Sequence, residues 1–335
     1  MDGQLAALVI LALIFDFLNG VHDSSNIVAT IISSRSLSPR LALTLTAMAE
    51  FSGPFLFGVA VATTIGSEIV SPDIMTIPIL LSALIGAIVW NIFTWFVGIP
   101  SSSSHALIGG MVGAIGVGVN MQVIQFSGVL KVLSALFVSP VIGLAAGFVF
   151  TRLVYWLARN ASMKINIFFK QAQVLTGIGL ALSHGANDAQ KTMGIITLGL
   201  VAGGYIPSFQ VPLWVIFASA SAIAIGTVSG GWRLIKTLGA GFFRIRPIHG
   251  FCTQITSAGV ILGAALFGGP VSTTQVVSSA IMGVGAADRV NKVRWNAAGN
   301  ILMAWLITIP MSGLVAGLTV WIIRLFQNLS ISFLH

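Results

Sequence analysis

The sequence contains few charged side chains. Only 7% of its 335 residues are Asp, Glu, Lys or Arg, whereas 56% are hydrophobic. A soluble globular domain carries about 25% charged residues, because polar atoms must cover the surface that faces water. The composition therefore excludes a soluble globular fold and indicates a protein that is dissolved in a lipid bilayer.

Cysteine is also nearly absent, since Cys252 is the only one. A single cysteine excludes an intrachain disulfide and a cysteine metal cluster, and we expect a small buried apolar side chain there. No Lys or Arg precedes Arg35. The amino terminus therefore lacks the basic flank of a cleaved signal peptide, and we expect the first apolar segment to be retained.

Long apolar stretches, rich in Leu, Ile, Ala and Gly, occupy most of the chain. Their length favours membrane helices over the roughly ten-residue alternating strands of an outer-membrane barrel. The sequence thus predicts an all-α polytopic membrane protein with about five membrane segments in each half. The stretches lie at about 4–34, 41–66, 77–99, 104–119, 125–157, 172–202, 212–232, 250–268, 275–287 and 296–325.

The basic residues predict how the two halves are oriented. The net charge is +8, and the basic residues lie in short connections between apolar segments. This placement reflects the orientation of the chain in the membrane rather than nucleic-acid binding. An odd number of crossings per half requires the second half to enter the membrane from the opposite side. We predict a first inverted repeat at 1–158, a cytoplasmic linker at 159–171 and a second inverted repeat at 172–335, with both termini outside the cell membrane. The residues that predict the cytoplasmic side are Arg35, Arg40, Arg159, Lys164, Lys170, Arg233, Lys236, Arg244, Arg246, Arg289, Lys292 and Arg294.

Two motifs recur in both halves in the same order. Residues 19–26 (NGVHDSSN) align with 184–191 (HGANDAQK), and residues 100–105 (PSSSSH) align with 270–275 (PVSTTQ). Inverted repeats of this kind are characteristic of secondary transporters, whose substrate binds near the bilayer midplane between the halves.

The first motif places Asp23 and Asp188 inside apolar stretches. A carboxylate at bilayer depth costs about 2.5–3.5 kcal/mol on insertion scales, so each needs a partner. Lys191 could form a structural ion pair with Asp188, whereas Asp23 has no Lys or Arg within ten positions, which favours a bound cation. We expect Gly20 and Gly185 to interrupt their helices and to free backbone groups for ligands.

The second motif ends an apolar stretch with proline and resumes with hydroxyl side chains. Free amides at a helix amino terminus, together with neutral hydroxyl donors, suit a tetrahedral oxyanion such as phosphate or sulfate, and no Arg is present for a planar carboxylate. Ordinary N-capping by Ser or Thr is the alternative. The predicted substrate-binding residues of this motif are Ser102, Ser103, Ser104, His105, Ser272, Thr273, Thr274 and Gln275.

The two copies of the first motif differ in ways that suggest a mechanism. Lys191 stands where the first copy has Asn26, and we hypothesise that its ammonium replaces one coupling cation and binds substrate with Asn187. Snorkelling of Lys191 to the interface is the alternative. Three histidines of the motifs, His22, His105 and His184, would let the site titrate near neutral pH, or they form plain helix contacts. The predicted cation-coupling residues are Asp23, Asn26, Asp188, His22 and Glu50, with Asp23 and Asp188 as candidate Na+ ligands. Asp16 is a further acid at membrane depth, and it either has a functional role or lies near the outer end of the first helix.

The motifs resemble those of the inorganic phosphate transporter family known as PiT, whose hallmark is a duplicated Gly-Ala-Asn-Asp motif. Residues 185–188 look like that hallmark and 20–23 like a divergent copy, while the Ser/Thr motifs, 49–51 and 230–233 also match. The resemblance covers nearly the whole chain and is nearest to the short bacterial type. It implies phosphate uptake coupled to a cation, which is Na+ in some members and H+ in others, with the Asp, Asn, Ser and Thr motifs forming the site. His22 and Lys191 depart from a fully symmetric two-cation site.

Several other functions are consistent with part of the pattern. A sulfate permease of the same family would share every motif. An intramembrane hydrolase could use Ser104 and His105, but Gln275 replaces the histidine in the second copy, so we predict no enzyme. A passive channel would not need the repeated carboxylates. We expect no cofactor beyond the coupling Na+ or H+, and a homodimer is a further possibility.

Overall fold

The computed structural model describes residues 2–97, 101–162, 164–230, 245–293 and 295–332. Within these ranges the secondary structure is helical, apart from one isolated antiparallel bridge between Val70 and Ile124. The all-α prediction is therefore confirmed. Several residues used in the sequence predictions lie outside the described ranges: Pro100, Gly231, Trp232, Arg233, Lys236, Arg244 and Arg294.

Eleven α-helices cover the described residues, with short 3-10 turns between some of them. Pro39 and Pro247 begin two of these helices, a position where the missing N–H costs nothing. The helices are α1 (Gly3–Ser33), α2 (Pro39–Phe57), α3 (Ala60–Thr63), α4 (Ile77–Val97), α5 (Ser103–Gly118), α6 (Phe126–Leu157), α7 (Ile165–Ala202), α8 (Leu213–Ser229), α9 (Pro247–Leu266), α10 (Thr273–Asp288) and α11 (Trp295–Ser332).

Fewer helices span the membrane than the ten apolar stretches predicted. Within the described residues, six helices are long and apolar enough to cross, or seven if α2 and the segment 60–68 form one span bent by 73°. Helices α5 and α10 have 16 residues each. Such a helix is about 24 Å long, which is less than the hydrocarbon thickness of about 30 Å. The expectation of five complete crossings per half is therefore wrong.

Helices α4 and α5 pack against each other as an antiparallel hairpin. Ile79 at the start of α4 packs against Gly118 at the end of α5. Ser103 at the tip of the hairpin donates a 2.7 Å hydrogen bond to Asn19, near the middle of α1. Helices α9 and α10 also contact each other in the second half. The opposite orientation of the two halves stays a prediction.

The predicted helix breaks at Gly20 and Gly185 are wrong, since α1 and α7 run without interruption through both glycines. The glycines instead permit close helix crossings. A Cβ at Gly20 would lie 2.2 Å from the carbonyl oxygen of Ile223 in α8, and one at Gly185 would lie 2.1 Å from that of Glu50 in α2. Small residues at such crossings let two backbones approach closely within a bilayer.

The helices of the two halves pack in reciprocal pairs. Helix α1 packs along α8 of the second half, and α7 packs along α2 of the first. Likewise α5 packs along α11, and α10 along α6. Each motif-bearing helix is thus held by a helix of the other half, which brings all four motif copies to the centre of the molecule.

We predict that Gly185→Ala lowers stability. The new methyl group would overlap the backbone of α2, and overpacking of this kind costs about 1–3 kcal/mol. The measurement is the thermal unfolding midpoint of the purified protein in detergent. Gly179→Ala is the matched control on the same helix, because a Cβ there meets no atom within 4 Å. Equal midpoints for the two variants would contradict the close crossing.

Candidate functional site

The two motif aspartates meet at one threonine. Thr273, in the first turn of α10, lies 2.9 Å from Asp188 Oδ2 and 3.3 Å from Asp23 Oδ2 through its hydroxyl oxygen. Asp23 and Asp188 are 2% and 1% exposed, so both carboxylates are shielded from water. The hydroxyl can donate to only one carboxylate at a time, which leaves two buried negative charges in need of further partners.

Each aspartate is bonded by the residue three positions later on its own helix. Asn26 Nδ2 donates to Asp23 Oδ1 at 2.9 Å and to Thr274 Oγ1 at 3.1 Å. Lys191 Nζ donates to Asp188 Oδ1 and, at 2.6 Å, to Ser104 Oγ. The motif alignment pairs Asn26 with Lys191 and Thr274 with Ser104, so the two sets of contacts are equivalent. The first set uses a neutral amide as donor, and the second uses an ammonium.

Lys191 is buried, with 1% of its surface exposed. Besides Asp188 and Ser104, its ammonium donates to the carbonyl oxygen of Val271 at 2.9 Å. These contacts exclude the snorkelling alternative, and they confirm the ion pair with Asp188. The positive charge therefore lies at the tips of both hairpins, beside the hydroxyl-rich turns.

His184 and Glu50 extend the charged cluster beyond the aspartates. The Nε2 atom of His184 lies 2.9 Å from Asp188 Oδ2 and 3.8 Å from Asp23 Oδ2, and its Nδ1 lies 2.8 Å from Glu50 Oε1. Glu50 also accepts a 2.5 Å hydrogen bond from Thr227. The imidazole thus connects three buried carboxylates.

The sequence predictions named His184 as a titratable group of the motifs but not as a contact of Glu50 and Asp188, and they did not include the contributions of Thr227 and Asn19. One signal was available: His184 occupies the same motif position as Asn19, and both side chains reach the centre. Thr227 lies outside both motifs, and the sequence contains no corresponding signal for it. His22 lies at the rim instead, with its Nδ1 3.5 Å from Asp23 Oδ1 and its side chain 21% exposed.

His105 and Gln275 join the two hairpin tips. Gln275 Nε2 lies 3.3 Å from each ring nitrogen of His105. Since these residues are equivalent in the repeat, their contact lies where a pseudo-two-fold axis between the hairpins would pass. Ser102 and Ser272 accept hydrogen bonds from the backbone N–H groups of His105 and Gln275, so both serve as N-caps. Their binding of substrate stays a prediction.

Asn187 holds the second hairpin tip in place. Its Nδ2 donates to Val271 O at 3.0 Å and to Asp188 Oδ1 at 2.7 Å, while its Oδ1 accepts from Val271 N at 3.2 Å. All of its polar atoms are engaged in positioning, and a direct contact with substrate stays a prediction. Ser103 borders a cavity of about 200 Å³ together with Asn19, His22, Asn91 and several apolar side chains.

The donor atoms suit ions of both signs. Asp23, His184 and Asp188 each offer one ligand atom, and these atoms lie within 4.8 Å of one another, a spacing that suits a cation. Carboxylate and hydroxyl oxygens are the ligands that hard cations such as Na+ prefer. The hydroxyls of the hairpin tips and the Lys191 ammonium supply donors for an oxyanion. The site is thus able to bring a cation and an anion close together inside the bilayer.

Comparison with known proteins identifies the family. The model of the Phosphate transporter family matches residues 19–316. A protein of Rhizobium meliloti described as a probable low-affinity inorganic phosphate transporter is 45% identical, covering 95% of this chain and 97% of its own length. One of Bacillus subtilis with the same description is 41% identical, covering 95% and 96%. A solved structure titled the sodium-dependent phosphate transporter shares the fold, with a TM-score of 0.87, 24% identity, and coverage of 97% of this chain and 100% of that one.

The family model and these relatives define a membrane transport protein rather than an enzyme. The chain belongs to the phosphate transporter family. The predicted resemblance to that family and the prediction of no enzymatic activity are therefore confirmed.

We predict that Lys191→Met strongly destabilises the protein. Removing one partner of a buried ion pair leaves an uncompensated charge on Asp188 and costs about 3–5 kcal/mol. The measurement is thermal unfolding in detergent, and the double variant Lys191→Met/Asp188→Asn should recover most of the loss. Lys131→Met is the control, because its ion pair with Glu68 is 38% exposed and contributes at most about 1 kcal/mol. A Lys191→Met variant as stable as this control would show that another group neutralises Asp188.

Proposed function

We propose that this protein is a secondary active transporter that takes up inorganic phosphate together with Na+ or H+. The observation that carries the proposal is the convergence of two motif aspartates, one buried lysine and two hydroxyl-rich hairpin tips at a single centre. A cation beside an oxyanion reduces the electrostatic cost of holding either in a low-dielectric interior. Binding of one is therefore coupled to binding of the other.

The anion site is formed by the two hairpin tips and the lysine. Ser103, Ser104 and Lys191 supply donors from one side, and the first turn of α10 supplies Thr273, Thr274 and amide groups from the other. The α5 and α10 amino termini add the positive ends of two helix dipoles. Ser102, His105, Asn187, Ser272 and Gln275 hold these groups in position and border the substrate.

The cation site is formed by Asp23, Asp188 and Thr273, with Asn26, His22 and Glu50 around it. The asymmetry between Asn26 and Lys191 supports a role for the lysine as a permanent substitute for one coupling cation. When phosphate leaves, the ammonium stays paired with Asp188, so the empty carrier can reorient with little net charge in the bilayer.

Alternating access follows from two inverted halves around this fixed site. The reciprocal helix pairs described above support repeats at 1–158 and 172–335 joined by the 159–171 linker. The contact of the Asp2 amide with the Tyr205 hydroxyl, 2.8 Å long, supports an amino terminus on the side where the connections lack Lys and Arg. We propose that this side is the exterior of a cell membrane and that both termini lie there.

The proposed substrate is tested by counterflow of labelled phosphate in proteoliposomes. We expect unlabelled phosphate inside the vesicles to drive uptake of labelled phosphate, and excess external sulfate to compete poorly. Empty liposomes are the control for leak. Strong competition by sulfate would instead assign the protein as a sulfate permease, and uptake that does not respond to internal phosphate would indicate a channel.

We predict that Asp23→Asn and Asp188→Asn each abolish cation-coupled phosphate uptake; Asp23→Asn should keep its fold, whereas Asp188→Asn should also lose stability because it leaves the buried Lys191 ammonium unpaired. Each change removes the negative charge that holds the cation but keeps the shape of the side chain. The measurement is uptake at matched expression with Na+ and pH varied separately. Asp73→Asn is the control, because Asp73 is an exposed acid in the 3-10 turn Pro72–Ile74. Uptake at the wild-type rate by either site variant would remove that aspartate from the mechanism.

A further inference from the structure

Asp16 is a buried carboxylate that the cation and anion sites do not use. It lies on α1, three residues before Asn19 and seven before Asp23, so all three share one face of the helix. The separation from Asp23 along the axis is about 10 Å. Asp16 is 0% exposed. Since α1 begins beside Tyr205, Asp16 lies between that end of the protein and the aspartate pair.

The Asp16 carboxylate makes no hydrogen bond of normal geometry among the described residues, at either Oδ1 or Oδ2. The Thr192 hydroxyl of α7 lies beside it, and it too makes no hydrogen bond of normal geometry within the described part of the chain. An ionised carboxylate without partners is strongly disfavoured in an apolar interior. A proton on Asp16 removes the charge and supplies the donor that the Thr192 oxygen can accept.

The surrounding charges decide between a proton and a metal cation. Three titratable groups of α7 lie across the α1–α7 contact from Asp16 and interact with it electrostatically: His184, Asp188 and Lys191. Asp188 and Lys191 form an ion pair with each other, and His184 contacts Asp188 and Glu50, so each of the three is already paired. Helices α4 and α8, which also pack on α1, contain no titratable side chain. The remaining titratable groups on α1 and its other neighbours lie elsewhere: His22 and Asp23 at the cation site, Glu50 on Thr227, His105 on Gln275, Arg40 exposed at the start of α2, and His249 and Asp288 at the Tyr155 cluster.

A sodium ion at Asp16 would need several oxygen ligands, and among the described residues Thr192 supplies a side-chain hydroxyl that faces it. Helix α1 is continuous at Asp16, so its carbonyls there bond within the helix. A proton needs only one acceptor. The geometry therefore favours a proton over a metal cation.

We propose that Asp16 is a proton-binding site. Its carboxylate holds a proton while the side chain is sealed from water, and it releases the proton when the carrier opens this region to water. The step is a proton transfer to water and changes no other bond. This proposal rests on the proposed phosphate transport, and it names H+ as an ion that moves with the substrate. Because Asp16 is buried between the outer end of α1 and the central site, each reorientation of the carrier would move one proton.

The experiment combines a direct and a transport measurement on the full chain in liposomes. Infrared spectroscopy should show the carbonyl band of a buried protonated carboxyl, and the band should be lost in Asp16→Asn and kept in Asp73→Asn. A pH-sensitive dye and labelled phosphate together give the number of protons taken up per phosphate, which should fall by one in Asp16→Asn. For each coupled proton, a gradient of one pH unit drives up to about tenfold accumulation of phosphate. Asp16→Asn should lose this tenfold contribution as well. Asp16→Glu, which keeps the titratable group, should restore the ratio.

The outcomes separate this proposal from the proposed function. An unchanged proton-to-phosphate ratio or an unchanged infrared band in Asp16→Asn overturns the proton site, and so does loss of the band when Na+ is added to the wild type. Absence of phosphate counterflow in the wild type overturns the proposed substrate instead. If Asp16→Asn does not fold, Thr192→Val decides: removal of the facing hydroxyl should shift the carbonyl band if Asp16 is protonated, and an unshifted band overturns the proposal.

Discussion

The structure depends on one electrostatic constraint: charges placed where water is excluded must neutralise one another. Asp23, Asp188 and Glu50 are all buried, and the available positive groups are the Lys191 ammonium and the His184 imidazole. Isolated, each carboxylate would be expensive in the bilayer. Brought together with donors from both halves, these carboxylates form a centre in which each has a polar partner.

The close helix crossings bring these buried carboxylates and their partners together. Glycines in the aspartate motifs allow α1 and α7 to approach α8 and α2 at backbone distance. The hairpins then insert their hydroxyl-rich tips between the two long helices, where Thr273 reaches both aspartates. A crossing made with a larger residue would move the carboxylates apart, so the packing of apolar helices directly determines the geometry of the polar site.

The two halves make equivalent contacts at the polar centre but place different charges there. Asn26 and Lys191 make equivalent contacts, yet only one carries charge, and His184 faces the carboxylates where the first half has Asn19. A symmetric scaffold therefore holds an asymmetric charge distribution. In the proposed cycle this asymmetry lets one half supply a permanent cation while the other binds a mobile one.

The lipid environment, the helical class, the repeated motifs and the family were all predictable from the sequence, because they depend on composition and on the order of residues along the chain. The sequence also identified the carboxylates and hydroxyls that converge, since their chemistry is unusual inside apolar stretches. Other features became visible only in the folded chain: Gly20 and Gly185 lie at helix crossings rather than breaks, the tip of the α4–α5 hairpin reaches the middle of α1, Thr227 contacts Glu50, and Asp16 is buried. The reason is that these properties depend on which backbone approaches which, and periodicity within a single apolar helix contains no information about its neighbour.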